Sequence, residues 1–250
     1  MVSVMDFFDS DLRAYIDPSV EIKVYRAAYP LPSKLIYSPF VRPELPVKRK
    51  GMKINELPRL YYGTHLYCID DEVVFFQGLL GAPATVIFLE ELIALGVKEI
   101  MFLGLAGAIQ SAKIGDRIIV EEALRLEGTS YHYLPANSPS MPSEQMTNDL
   151  VHFLSSKQIS FAKGKICTTD APFRETFDLI KRLRKNNIIA IEMEISAAFA
   201  VAAFREVKAA ALVIISDELK ANEWTGFQPD LFSDRFQSSF EYIVEFLSKK

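Results

Sequence analysis

Residues 189–218 read IAIEMEISAAFAVAAFREVKAAALVIISDE. The stretch divides into three pieces. The first, ending IAIEM, is an apolar run that predicts a strand. The second, SAAFAVAAFREV, is an alanine-rich helix whose small side chains let it pack close to a sheet. The third, AAALVIISD, is a strand apolar throughout until Ser216 and Asp217. Strands apolar on both faces belong in the interior of a parallel sheet covered by helices. Three acids interrupt this pattern: Glu192 and Glu194, one residue apart in an apolar segment, and Asp217 at a strand end. A carboxylate taken from water without partners is costly, so each needs an explanation.

The same alternation extends outward. LIYS (35–38), LYYGTHLYCI (60–69) and EVVFFQGLLG (72–81) predict strands. ATVIFLEELIALG (84–96) predicts an amphipathic helix stopped by Gly96. EIMFLGLAG (99–107) predicts a strand running into a glycine-rich turn, and DRIIVEEAL (116–124) another strand. A loop from Pro135 to Pro142 precedes a helix over 143–156; KICTTD (165–170) and a helix over 174–185 lead back to the opening stretch. The last helix places Phe236, Phe240, Ile243, Val244 and Leu247 on one stripe, with Lys249 and Lys250 suited to its dipole. The expected fold is α/β: a three-layer α/β/α sandwich around a central mixed, largely parallel sheet, in one domain spanning 1–250. Residues 1–59, with prolines from Pro30 to Pro46 and the basic run Lys48-Arg49-Lys50, match no regular pattern and read as connectors or an extended arm.

Composition narrows the function classes. The 28 Lys and Arg against 32 Asp and Glu leave a formal charge of −4, which offers no general attraction to nucleic acid or an anionic membrane surface. No run approaches the roughly 20 apolar residues of a membrane span, so a cytoplasmic chain is expected. Cys68 and Cys167 each lie in an apolar run and read as buried hydrophobes. His65, His132 and His152 are scattered without ligand spacing, so no metal site is expected.

Ligands of open α/β sheets bind beyond the carboxyl ends of the strands. Polar or glycine-rich residues collect there in four places: GLLGAPA (78–84), GLAGAI (104–109), EMEIS (192–196) and ISDE (215–218). The glycine-rich stretches, with Gly81, Gly104 and Gly107, read equally as tight turns or as backbone amides facing an anion. Glu194 reads as a helix-dipole partner or a ligand group, Glu192 as a first-turn acid or the partner of a base, and Asp217 as a solvated strand end or a site acid.

Taken together, IEMEISAAFAVAAFREVKAAALVIISDE resembles the ribose and base signature of the purine/uridine phosphorylase family, which includes nucleosidases of methylthioadenosine and adenosylhomocysteine. IGDRIIVEEALRLEGTSYHYLP (114–135) and TTDAPFRET (168–176) resemble further segments, and the likeness runs from about 72 to 250. It implies cleavage of a nucleoside's N-glycosidic bond through a cation-like ribose. Glu194 would accept the ribose hydroxyls, Met193 would pack under the sugar, and Glu192 would shape the site or bind a cation. Asp217 would protonate or hydrogen-bond a departing purine. Phe173 and Arg174 would meet the base, and Tyr131, His132 and Tyr133 would close the pocket or a subunit contact. The likeness also implies a small-molecule nucleoside partner, a homo-oligomer (dimer or hexamer), and phosphate as co-substrate with no bound cofactor. The family's phosphate residues are missing: the corresponding positions read Phe102, Leu105 and Ala106, and Ser38 to Arg42 only loosely echo its N-terminal motif. Gly81, Gly104 and Gly107 are then the remaining anion contacts. The leading expectation is phosphorolysis of a purine nucleoside, with hydrolysis by water and non-catalytic nucleoside binding as the alternatives.

Overall fold

A computed structural model describes residues 7–11, 13–21, 31–39, 41–45, 65–220 and 223–248. Most of residues 1–59, including Lys48 to Lys50, lie outside this set, as do 60–64, Lys249 and Lys250. The described residues form a mixed α/β fold around a central sheet. After a helical turn at Pro18–Glu21 come β1 (Lys34–Pro39), β2 (His65–Cys68), β3 (Val73–Gly78), α1 (Ala82–Leu95), β4 (Glu99–Ala108), β5 (Arg117–Leu126), α2 (Glu144–Ser156), β6 (Ala162–Thr169), α3 (Phe177–Lys185), β7 (Ile188–Glu192), α4 (Ile195–Phe204), β8 (Lys208–Glu218) and α5 (Pro229–Ser248).

Local chemistry sets several of these boundaries. Helix α1 starts with Pro83 in its first turn, where no amide partner is needed, and stops at Gly96, whose φ of 121° is open to glycine. Helix α3 begins later than the sequence suggests. Pro172–Arg174 forms a separate 3₁₀ turn, and the Thr176 hydroxyl then caps the helix by accepting from the Leu179 amide (3.3 Å). Arg182, Arg184 and Lys185 fill its last turn, where cations complement the dipole.

The strand order is β2-β3-β1-β4-β7-β6-β5-β8, and β8 pairs in addition with β4. The second part of the sheet therefore closes into a ring of five strands, β4-β7-β6-β5-β8. Ten residues of β4 run parallel to β8, whereas β4 meets β7 antiparallel only at Gly107↔Ile191 and Ala108↔Ala190. Closure corrects one expectation. Residues 104–107 form no turn: β4 continues through Gly104 and Gly107 to Ala108, and opposite the Ala106–Gly107 step β8 carries one extra residue, Ser216, as a bulge. A bulge bends a strand, and this one lies where β4 reaches β7.

Alternate residues divide the core between two helical layers. Leu35, Tyr37, Ile100, Phe102, Ala211 and Val213 pack with residues of α1 and α4. Ile36, Phe75, Met101, Leu103, Ala210 and Leu212 pack with residues of α2 and α5. The stripe expected on α5 is the one buried, with Phe236, Phe240, Ile243 and Leu247 at 3% exposure or less. Phe240 meets Phe75 edge-on, ring centroids 5.4 Å apart. Phe240→Ala should therefore cost about 3–5 kcal/mol, read as a lower denaturant midpoint at unchanged m-value. A midpoint within error of the parent would show that α5 does not seal this core.

Candidate active site

The carboxyl ends of three strands meet where the ring closes. Gly107 of β4 sits between Asp217 of β8 and Ile191 of β7 in the register. With neighbouring strands about 4.8 Å apart, the backbones of Asp217 and Ile191 are on the order of 10 Å apart. Glu192, Met193 and Glu194 follow Ile191 directly, so the acids singled out in the sequence arrive at one end of the sheet.

The two glutamates do different work. Glu192, 5% exposed, turns toward its own chain. Its Oε2 accepts the amides of Glu194 (2.6 Å) and Ile195 (2.7 Å), and its Oε1 accepts the Thr168 hydroxyl. Thr168 Oγ1 in turn accepts the Ser196 amide (2.8 Å). Together they satisfy the first amides of α4, which a helix leaves without internal partners. Glu192 is thus bound to backbone donors, and the basic partner considered for it is not what it meets. Glu194, 3% exposed, points across to α1, where its Oε1 accepts the Gly81 amide (2.6 Å). The anion that Gly81 faces is therefore the protein's own carboxylate. Among the described residues Glu194 accepts no side-chain donor, leaving lone pairs for donors from outside. Burial is the main cause that raises the pKa of both acids, and at Glu192 the charge of Glu194 adds to it; the bonds to Glu192 and the Gly81 and Met193 amides at Glu194 act in the opposite direction.

Asp217 is half-buried, with both oxygens engaged. Oδ1 accepts the Ser216 hydroxyl (2.6 Å), and Oδ2 accepts the indole N–H of Trp224 (2.6 Å). Gly107 makes room for it, since a Cβ there would lie 3.0 Å from Oδ2 and 3.2 Å from Leu219 Cδ1. Arg184 holds the adjoining strand ends, donating to the carbonyls of Ile109 and Leu219. Half-buried Glu175 lies within electrostatic reach; burial first, and the charge of Asp217 second, push its pKa up to about 7.

Other expected site residues are less engaged. Met193 is half-buried beside Glu194. Phe173 is 99% exposed and Arg174 is exposed too, both on the 3₁₀ turn beyond β6. Gly104 lies inside β4, and Phe102 is a core side chain stacked 5.5 Å from Tyr37. Leu105 is half-buried and Ala106 buried, so these positions bring no cation. Tyr131 donates to the Arg125 carbonyl (3.0 Å), His132 stacks on Phe7 at 4.8 Å, and Tyr133 packs against Phe204. Arg42 lies over the ring of Tyr67. Cys167 is buried as expected, its thiol pKa pushed up to about 12 by burial, whereas Cys68 is only half-buried. Among the described residues no group of three His, Cys, Asp or Glu is placed to hold a metal, and no helix is long and apolar enough to cross a membrane. Thr168, Ser216, Trp224, Arg184 and Glu175 are participants to which sequence reasoning assigned no role. Thr168 and Glu175 lie within TTDAPFRET, Ser216 within ISDE, and Trp224 opens WTGF (224–227), a further family-like segment; Arg184 carried no signal.

Comparison with known proteins gives a consistent picture. The sequence model of a family described as the phosphorylase superfamily matches residues 41–247. A guanosine phosphorylase of Halorubrum lacusprofundi is 29% identical over 152 residues, 60% of this chain and 63% of that protein. A uridine phosphorylase of Haemophilus influenzae is 32% identical over 135 residues, 48% of this chain and 54% of that protein. A DeoD-type purine nucleoside phosphorylase of Bacillus cereus is 28% identical over 174 residues, covering 66% and 69%. The chain thus spans under two thirds of the length of the first two. A crystal structure of a Vibrio fischeri uridine phosphorylase superposes with a TM-score of 0.67 at 20% identity, covering 88% of this chain and 93% of that one, which shows a shared fold.

The division of labour between the glutamates has a measurable consequence. Glu192→Ala strands three buried donors and should cost about 3 kcal/mol or more, whereas Glu194→Ala strands the single Gly81 amide and should cost about 1–2 kcal/mol. Equal falls in the unfolding midpoint of the two variants would contradict it.

Proposed function

The chain belongs to the phosphorylase superfamily, and from that premise we propose that it cleaves the N-glycosidic bond of a nucleoside, a purine nucleoside first, with inorganic phosphate. The observation that carries the reading is Glu194: an acid 3% exposed, anchored on one oxygen by the Gly81 amide and otherwise without a side-chain partner. Two adjacent sugar hydroxyls are donors that such an acceptor lacks. Bonds to a carboxylate are worth about 1.5–3 kcal/mol each, and its negative charge faces the ribose as positive charge develops there. In the proposed reaction a phosphate oxygen bonds to C1′ as the C1′–N bond breaks. The bond's electron pair leaves with the base, and Asp217 donates a proton or a hydrogen bond to the purine ring. Such acid assistance contributes about 10²–10⁴-fold. To serve the base, Asp217 exchanges the Trp224 indole for the ring nitrogen.

Phosphate needs a counter-charge that Phe102, Leu105 and Ala106 do not bring. Our reading takes it from Arg174 or from an arginine of a second copy in a homo-oligomer. Those same apolar positions favour the second reading, hydrolysis of the bond by water. In either case the reaction needs no bound organic cofactor. The rest of the reading is a single domain over 1–250, a three-layer sandwich modified by the strand ring, and a cytoplasmic location.

Incubation with purine and pyrimidine nucleosides, with and without phosphate, tests the proposal. Phosphate-dependent release of base with ribose 1-phosphate as product is expected, and Asp217→Asn should slow purines about 10²–10⁴-fold while sparing pyrimidines. Base release indifferent to phosphate would transfer the assignment to hydrolysis. Absence of both turnover and nucleoside binding would overturn both readings.

Affinity for the nucleoside should also depend on pH. The Glu194 pKa is raised above its usual 4.5 by burial, and the ionised form is the one that accepts the hydroxyls. Binding is therefore weakest near pH 5 and strengthens as pH rises through the raised pKa to a plateau. Glu194→Ala should flatten that profile and lower kcat/KM by about 10²–10⁴-fold, from the loss of two charged hydrogen bonds. A flat profile in the parent protein would remove Glu194 as the sugar's acceptor.

A further inference from the structure

Away from the strand ends described above, a cleft of about 160 Å³ is lined by Gly115, Asp116, Arg117, Ser160, Phe161, Ala162 and Arg235. It holds a handful of water molecules at ~30 Å³ each, the size of a small oxyanion. Its base is Arg117, which is 5% exposed. Buried guanidinium groups are ordinarily matched with a carboxylate, because an unpaired buried charge is costly. Arg117 has no such match among the described residues. Its Nε donates to Ser239 Oγ (2.7 Å) and one Nη to Ser238 Oγ (2.8 Å). Both are neutral acceptors, which spend their own protons on the α5 carbonyls of Arg235 (2.6 Å) and Asp234 (2.8 Å). The other nitrogen, Nη1, makes no hydrogen bond among the described residues.

The surrounding charge increases the deficit. Burial is the first influence that disfavours the charged form of Arg117, and the positive charge of Arg235 is the second; the Tyr242 hydroxyl acts weakly the other way, and the Arg117 guanidinium lies 5.7 Å from that ring. Asp116 also lines the cleft, but its Oδ2 accepts the Lys113 amide within its own turn (2.9 Å). Two arginines and the Asp116 carboxylate thus line one small polar space that keeps a net positive charge, and the buried arginine has an N–H with no partner among the described residues. Like charges so placed repel unless an anion lies between them, and guanidinium groups suit oxygen-rich anions by their planar donor geometry.

We propose that this cleft is a binding site for a phosphate-class oxyanion, held by Arg117 from below and Arg235 from the rim. It is separate from the sugar site. Arg117 extends into the layer of α5, whereas Glu194 starts α4 in the opposite layer and binds Gly81 beside α1. The cleft nevertheless adjoins the strand that carries Asp217, since Gly115 donates to the Ile215 carbonyl (2.8 Å) and Ile215 to the Asp116 carbonyl (3.0 Å). The proposal does not depend on the nucleoside reading and holds for a phosphorylase or a hydrolase alike.

Thermal unfolding of the full chain at constant ionic strength tests it, with inorganic phosphate as the probe, sulfate as a second oxyanion and chloride as the control. Phosphate and sulfate should raise the midpoint saturably and chloride should not, as expected for a ligand that binds the folded state alone. Arg235→Gln changes an exposed side chain, so the fold is retained; it should weaken the apparent phosphate affinity at least tenfold. Ser160→Glu places a carboxylate at the same rim; it should raise the midpoint in phosphate-free buffer and abolish the cleft's response to phosphate. Two outcomes overturn the proposal: no saturable protection of the parent protein, or protection that survives by more than half in both variants, which would locate the anion elsewhere.

Discussion

The site depends on one constraint, the satisfaction of the amides that open α4. Strand β7 ends and α4 begins within three residues, and this junction is buried. Its amides cannot reach water, so they must be met by protein groups. Glu192 and Thr168 meet them, and Thr168 Oγ1 links Glu192 to the Ser196 amide. The Ser196 hydroxyl extends the network to Glu127, which accepts it at 2.8 Å. Glu127 in turn accepts the Ser130 amide (2.9 Å). With the helix start held from several directions, Glu194 is directed away from its own helix toward α1. Its orientation is thus a by-product of its neighbour's capping role.

Ring closure supplies the second half of the arrangement. A sheet that stayed open would leave β8 and β7 unrelated at their carboxyl ends. Here Gly107 of β4 lies between them, the bulge at Ser216 of β8 brings Asp217 level with it, and glycine is needed there because a side chain would meet the Asp217 carboxylate. Arg184, reaching from α3 to the carbonyls of Ile109 and Leu219, ties the ends of β4 and β8 together. Residues in four separate parts of the chain thereby position one aspartate. The same closure produces the Arg117 cleft, because β5 lies antiparallel to β8 and brings the turn at Gly115 against α5.

Much of the fold was legible in the sequence because burial imposes periodicity. The two-sided apolar runs at 99–108 and 208–218 are strands buried on both faces, and the stripe on α5 is the one packed against β1, β3 and β8. Glycine misled at 104–107. Gly104 and Gly107 next to Ala106 and Ala108 look like a turn in one dimension, but pairing with β8 makes them strand residues. Pairing between distant segments has no local signature. The helix expected over 174–185 begins at Phe177 because Arg174 belongs to the 3₁₀ turn Pro172–Arg174 and Thr176 supplies the cap, neither of which hydrophobic patterning reveals. The candidate acids were visible as anomalies, charges at the ends of apolar strands. Arg184 was not, since a basic residue in the last turn of a helix is ordinary.

The sequence by itself determined an alternating α/β chain, the family, and which three acids stand out of place, because hydrophobic patterning and charge in apolar runs are local properties. The tertiary structure alone decided which acid caps a helix and which is left with open lone pairs, that Gly81 serves Glu194, and that two arginines line one cleft beside α5. Those outcomes depend on where hydrogen-bond donors from distant segments end up once the sheet has closed. The order of residues along the chain does not contain that information in any readable pattern.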